Sequence, residues 1–214
     1  WKMIYLARRN PALRPEEFPQ AWREHSALGR QCRNVQTRVT SVRQCSRVLD
    51  STACHGLDLS YDGVNLLAIN DRQSATDIWS DTETLAIMRP DEPRVFDRYV
   101  RECTLLCEEI GAAPAAETLA GVCLVFFLKG RAEAGDYPWG EAPPGVSVTN
   151  RVTGERPPGY DYDAIVETWF PDVDGFSAAV GGQDVRTLLP AAVLAWHDAA
   201  ASLAILTRIT HRRP

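Results

Sequence analysis

His25 is the residue best suited to chemistry. An imidazole with a pKa near about 6.5 can give or take a proton at physiological pH. Phe18, Trp22 and His25 share one side of a helix that the spacing predicts from Pro15 to Cys32. His25 therefore lies on an apolar face and points toward the sheet. From the residues alone, a hydrogen-bonded core histidine fits this position better than a catalytic one does.

The predicted strand before this helix carries further candidates. Lys2 to Arg9 mixes apolar, aromatic and β-branched residues and precedes a turn. Side chains alternate along a strand, so Tyr5 and Arg9 share one face. A phenol and a guanidinium can polarise a carbonyl or hold an enolate; a core-edge tyrosine and a solvated arginine are the plainer reading. We expect the ring of His25 to meet Tyr5, Asn70 or pocket water.

Four tryptophans and a second histidine complete the set of candidates for substrate binding. The tryptophans lie on predicted pocket elements and suit a large, flat, apolar ligand, although core packing explains them equally well. They are Trp22, Trp79, Trp139 and Trp169. The histidine is His197, in the nearly all-apolar segment LPAAVLAWHDAAA.

The first 32 residues resemble the start of the EthD family. The resemblance rests, in order, on Arg8-Arg9, Asn10-Pro11-x-Leu13, Pro15-Glu16-Glu17-Phe18 and Trp22-Arg23-Glu24-His25. That family belongs to the dimeric α/β-barrel superfamily of ferredoxin-like domains. The resemblance implies that His25 lies in a pocket and acts as acid or base in a cyclisation, dehydration or other lyase-type step. Some members of the superfamily bind haem through a histidine in the C-terminal half, which makes His197 a conceivable haem ligand.

The pattern of the whole chain predicts the order β-α-β-β-α-β twice. The strands of the first unit are predicted at Lys2 to Arg9, Thr37 to Leu49, Gly63 to Asn70 and within Tyr99 to Ile110, where a helix is a rival. Its second helix is predicted from Ala75 to Met88, with Ser74 as the N-cap. The strands of the second unit are predicted at Cys123 to Gly130, Ser147 to Glu155, Tyr162 to Phe170 and Ser202 to Thr210, and its helices at Asp172 to Val180 and Leu188 to Ala201.

We therefore predict an α+β fold made of two fused ferredoxin-like units that form an intramolecular dimeric-type α/β barrel. The units cover residues 1–112 and 119–214. The second unit lacks its first helix, because Ala132 to Val146 contains three prolines and three glycines. We expect this loop to pack on the barrel through Trp139 and to border the pocket as a lid.

Composition excludes several classes of protein. A net charge of −5 argues against a nucleic-acid surface, and no apolar run approaches the roughly 20 residues of a membrane span. No signal peptide is visible, and the six cysteines include no C-x-x-C pair, so we expect reduced thiols in a cytoplasmic protein. Cys103 and Cys107 have helical i, i+4 spacing but no further ligand near them, and we predict no metal site.

The function that these features predict is a cofactor-independent enzyme acting by acid–base chemistry on a bulky aromatic or polycyclic substrate. No nucleotide, flavin or zinc-hydrolase motif is present. A hydrophobic aromatic small molecule is the expected partner, without nucleic acid or membrane, and a homodimer remains open. Two alternatives are a non-catalytic binding or stress protein on the same fold, and a haem-dependent oxidase using His197.

Overall fold

Eight strands form the framework of the part of the chain that the computed structural model describes, namely residues 1–50, 54–111, 114–115 and 118–213. The strands are β1 (Lys2–Ala7), β2 (Val39–Arg47), β3 (Gly63–Ile69), β4 (Thr104–Ile110), β5 (Val122–Leu128), β6 (Val146–Thr153), β7 (Ala164–Phe170) and β8 (Leu203–Arg213). The α-helices are α1 (Phe18–Leu28), α2 (Arg33–Arg38), α3 (Arg72–Ser80), α4 (Thr82–Ile87), α5 (Glu92–Val95), α6 (Val173–Val180) and α7 (Ala191–Trp196).

The strands close into a single antiparallel barrel in the order β1-β3-β2-β8-β5-β7-β6-β4. The predicted fold of two fused ferredoxin-like units is therefore wrong: β2 pairs with β8, and β4 pairs with β6, so the sheet is continuous around the barrel. The physical reason is that an open sheet leaves a row of unpaired backbone groups along each edge, and closure pairs them. The division into residues 1–112 and 119–214 stays a prediction.

The barrel interior is filled by alternate residues of the strands. Ile4 and Leu6 of β1, Leu66 of β3 and Phe127 of β5 are almost fully buried in one cluster. A charged group also lies inside, because Nζ of Lys2 is 2.7 Å from Oε1 of Glu167, a residue with no exposed surface. Burial acts to lower the pKa of Lys2, but Glu167 and Glu109 raise it overall, so Lys2 stays charged.

Helices cover the outer face of the sheet in two places. In the first half, Met3 of β1 and Val42 of β2 pack with Ala75 and Ile78 of α3. α1 lies beside this cluster, and Gly63 lets it approach β3 closely: a Cβ there would lie 2.7 Å from Cζ3 of Trp22. This helical cover creates the space in which the candidate site lies.

In the second half, the outer face of the sheet is covered by α6 and α7. Leu124 and Phe126 of β5 pack there with Phe176 of α6 and Val193 of α7. The two halves thus carry different helical cover on one barrel.

Several predicted helix bounds are wrong for local reasons. α1 begins at Phe18, because Pro19 fits only the first turn of a helix. The predicted helix from Ala75 to Met88 is two helices. The side chain of Asp71 caps α3 by accepting from the backbone N of Ser74, and Asp81 ends α3 in extended conformation and caps α4.

Other regions differ less from the predictions. The segment around Cys107 is the strand β4 and not the rival helix. The predicted helix from Leu188 to Ala201 is longer than the observed one, α7 (Ala191–Trp196), and His197 follows α7 in extended conformation. No helix lies between β5 and β6, all of whose connecting residues are described, and Trp139 packs there against Tyr137 with ring centroids 4.6 Å apart.

Three findings concern membranes, thiols and metal ligands. Within the described ranges, no helix is both long and apolar enough to cross a membrane. The six cysteines are free. Cys103 and Cys107 do not share a helix, and no group of three potential metal ligands occurs among the described residues.

Candidate functional site

A partly open cavity of about 80 Å³ lies between the first-half helices and the outer face of the sheet. Its floor comes from β1, β3 and β2, and its other walls come chiefly from α1 to α4. Most of its lining is apolar, including Met3, Val42, Leu67, Ile78 and Met88. A concave apolar space with a few polar groups is the usual form of a small-molecule site.

His25 is part of the wall of this cavity, with only 4% of its surface exposed. Its Nδ1 lies 3.0 Å from Oδ2 of Asp91. A carboxylate accepts a hydrogen bond, so Nδ1 carries the proton and the lone pair is on Nε2. Nε2 has no hydrogen-bond partner among the described residues. This is the arrangement in which a carboxylate orients a histidine base.

Burial and nearby charges keep the imidazole of His25 neutral and the carboxyl of Asp91 ionised. Burial lowers the pKa of His25, and Asp91 only partly opposes that effect. Arg94, whose Nε is 2.7 Å from Oδ1 of Asp91, and then His25 hold the pKa of Asp91 below its ordinary value. At neutral pH, His25 is therefore an unprotonated base next to an ionised carboxylate.

Of the six polar residues on the cavity wall that were not singled out from the sequence, three matter most for chemistry, namely Gln44, Asn65 and Glu92. Gln44 and Asn65 are cross-strand neighbours on β2 and β3, and Oε1 of Gln44 and Oδ1 of Asn65 are buried without a described hydrogen-bond partner. Gln44 donates its Nε2 to the carbonyl O of Trp22 at 3.2 Å, which fixes the orientation of its amide. Glu92 is the third residue, and its side chain is 5% exposed.

Tyr5 and Trp79 are the other predicted site residues that the structure brings to the cavity. The hydroxyl of Tyr5 accepts a hydrogen bond from Nε1 of Trp22 at 2.9 Å. Burial raises the pKa of Tyr5, so it stays protonated. Tyr5 can shape the floor or donate a hydrogen bond, but it is a poor base.

The structure does not bring the remaining first-half candidates to the cavity. Trp22 is fully buried and stacks on Phe18, with ring centroids 5.0 Å apart. Arg9 lies beyond the end of β1 and pairs with Asp62, Nη1 to Oδ1 at 2.7 Å. Asn70 is exposed and donates to the carbonyl O of Thr37, so the partner of His25 is Asp91 and not Asn70 or Tyr5.

Two tryptophans predicted for the pocket lie elsewhere. Trp169 is buried in the cluster that fills the barrel and donates its Nε1 to Oε2 of Glu167 at 3.4 Å. Trp139 packs on the second half, where the guanidinium of Arg151 lies 4.4 Å from its ring centroid. The loop that carries Trp139 does not line the His25 cavity, so the predicted lid over that pocket is wrong.

His197 lies at a second cavity, of about 230 Å³, on the other half of the molecule. Its Nδ1 donates to the carbonyl O of Val193 at 3.1 Å, so Nε2 holds the lone pair, which has no partner among the described residues. A bare imidazole nitrogen suits a metal in principle. The cavity is smaller than the roughly 300–1,000 Å³ typical of drug-sized ligands, and Arg186 and Asp58 line it, so a porphyrin does not fit without movement of these walls.

The sequence held weak signals for the residues that were missed. Asp91 and Glu92 stand between Pro90 and Pro93, a segment that simply reads as the end of a helix. Gln44 lies in a predicted strand with alternating residues, but the alternation alone does not say which face of the strand is buried. The signal is a polar side chain on the buried face of a strand, and it can be recognised only when the pairing register of the sheet is known.

No protein-family model matches the chain, and no curated protein matches it either. The resemblance of the first 32 residues to the EthD family therefore stays a prediction.

Proposed function

We propose that the protein is a proton-transfer enzyme of the lyase or dehydratase type, with His25 as its general base. The observation that carries this proposal is the pair formed by His25 and Asp91 on the wall of an apolar cavity. The EthD resemblance, which implies the same role for His25, agrees with it.

Asp91 holds the proton on Nδ1, so Nε2 is the atom that removes a proton from the substrate. Burial keeps the pKa of His25 low, and the ring is therefore in its basic form at neutral pH. When Nε2 takes a proton, the new imidazolium is stabilised by the carboxylate 3.0 Å from Nδ1. A carbon next to a carbonyl is the natural source of such a proton, because the electrons left behind move onto oxygen.

The cavity supports a small substrate rather than the polycyclic one that the sequence suggested. A cavity of about 80 Å³ is well below the roughly 300–1,000 Å³ typical of sites for drug-sized ligands, so it suits a molecule of a few heavy atoms. The unpartnered oxygens of Gln44 and Asn65 are acceptors and favour a ligand with hydroxyl donors. We therefore propose a small hydroxylated carbonyl compound as the substrate. The chemistry needs no cofactor, and the free thiols fit a cytoplasmic location.

Hydroxyacetone in D₂O is a direct probe of this proposal, because exchange of its α-protons for deuterium reports proton removal and is read by ¹H NMR. The wild-type protein is expected to accelerate exchange above the buffer rate. His25→Gln, which retains a hydrogen-bonding amide but not the base, should reduce the enzymatic rate by roughly 10² or more. The matched control is His55→Gln, since His55 is exposed. Equal exchange by the wild type and His25→Gln would refute the proposal and leave a binding protein as the alternative.

A further inference from the structure

The cavity contains a second titratable group, which the His25 base does not account for. Glu92 lies directly after Asp91 at the start of α5, so one short segment supplies both the carboxylate that orients His25 and a carboxyl on the cavity wall. Glu92 is 5% exposed, and it forms no salt bridge with any described residue. A buried carboxyl without an ion-pair partner is costly to ionise, which favours its neutral form.

The contacts of Glu92 leave one of its oxygens available. Oε2 accepts a hydrogen bond from the backbone N of Val100 at 2.7 Å. Oε1 has no hydrogen-bond partner among the described residues. An amide side chain could accept from Val100 equally well, so this bond alone does not require an acid at this position.

We infer that Glu92 is a second catalytic residue, the general acid that protonates the substrate carbonyl oxygen while His25 removes the α-proton. This inference rests on the proposed function. In the step, the C–H bond breaks and its proton goes to Nε2 of His25. The C–H electrons form the C=C bond of the enol, the C=O π electrons move onto oxygen, and that oxygen takes the proton of Glu92. The reverse step returns a solvent-derived deuteron to carbon.

The surroundings of Glu92 and His25 favour the protonation states that the proposed step requires, namely a protonated carboxyl and an unprotonated imidazole. Burial raises the pKa of Glu92, opposed by the hydrogen bond from Val100 and by Arg89, and aided by Glu102. Burial lowers the pKa of His25, opposed by Asp91 and aided by Arg94. Arg213 also lines the cavity. Both shifts favour the neutral form of the group, namely the protonated carboxyl of Glu92 and the unprotonated ring of His25.

Glu92→Gln tests the inference in the hydroxyacetone exchange assay, because glutamine keeps an acceptor for Val100 but carries no acidic proton. The variant is expected to lose about 10-fold to 100-fold in kcat/KM, within the range of general acid catalysis. Glu133→Gln is the matched control, since it removes an exposed carboxylate that shifts the pKa of neither Glu92 nor His25 and should retain the wild-type rate. Circular dichroism and thermal unfolding check that each variant is folded.

The pH profile of kcat/KM distinguishes an acid from a structural group. The wild type should give a bell, falling at low pH as His25 is protonated and at high pH as Glu92 ionises. Glu92→Gln should lose the falling limb at high pH and keep the rising limb. An unchanged rate and profile in Glu92→Gln, with His25→Gln inactive, would overturn the role of Glu92 and leave the proposed function standing. No exchange by the wild type would overturn both.

Discussion

Replacing Asp91 by asparagine tests how His25 is held. Oδ2 of Asp91 lies 3.0 Å from Nδ1 of His25, and the pKa of His25 is set by burial, which lowers it, against Asp91, which raises it. In Asp91→Asn the opposing charge is gone, and burial remains as the largest effect that lowers the pKa of His25. Arg94 loses its ionic partner at the same time and adds to the effect. The pKa of His25 should therefore fall further below its ordinary value.

The size of this fall follows from the contacts of Asp91. An opposite charge within about 4–6 Å shifts a pKa by about 1–3 units. Arg94 binds the same carboxylate, and the side chain of Asp91 is 21% exposed, so both shared charge and solvent weaken its field at His25. We expect a fall of about one unit, equivalent to about 1.4 kcal/mol between the two protonation states.

NMR titration of ¹⁵N-labelled imidazole measures this pKa and reports which ring nitrogen carries the proton. The wild type should show the neutral ring protonated on Nδ1 at pH 7. Glu24→Gln is the control, because Glu24 contacts Arg94 at 3.2 Å but does not contact His25. An unchanged or raised pKa in Asp91→Asn would refute the reasoning, and so would an equal fall in Glu24→Gln.

Three further predictions concern stability and are read from urea unfolding. Lys2→Met leaves the carboxylate of Glu167 buried without its partner and should cost about 3–5 kcal/mol, much of it regained when Glu167→Gln is added. Asp71→Ala removes the cap of α3 and should cost about 1 kcal/mol. The pKa of His25 is lower in the folded state than in the unfolded chain, so its contribution is fully present above about pH 6.5 and is lost as the pH falls through the folded value; His25→Gln should flatten that slope.

Local pattern was enough to locate the strands and to place His25 on the buried face of a helix. The strand at Val122–Leu128 is a continuous apolar run, and β1 and β7 were equally visible from their composition. His25 was recognised because it follows Phe18 and Trp22 at helical spacing, and the side chain is indeed buried.

The closure of the barrel and most of the cavity wall depend on contacts between distant residues. The pairing of β2 with β8 joins residues more than 160 positions apart, for example Ser46 and Thr210, and no local pattern reports it. Asp91 reaches His25 across 66 positions. Trp169 is a second example of what a local pattern cannot predict. Alternation along the strand shows that Trp169 shares a face with Glu167, but it does not show that this face is the barrel interior.

Chloroacetone labelling tests directly whether Nε2 of His25 is an accessible base in the cavity. It matches hydroxyacetone closely in size, and Nε2 of a neutral histidine displaces its chloride to form a stable N–C bond that peptide mass spectrometry can locate. We expect His25 to be labelled at the same rate as exchange activity is lost, and we expect hydroxyacetone to protect His25 from labelling. Half-buried Cys54 serves as the internal reference, because its labelling should not respond to hydroxyacetone. Loss of activity with other histidines labelled and His25 unmodified would rule out His25 as the general base.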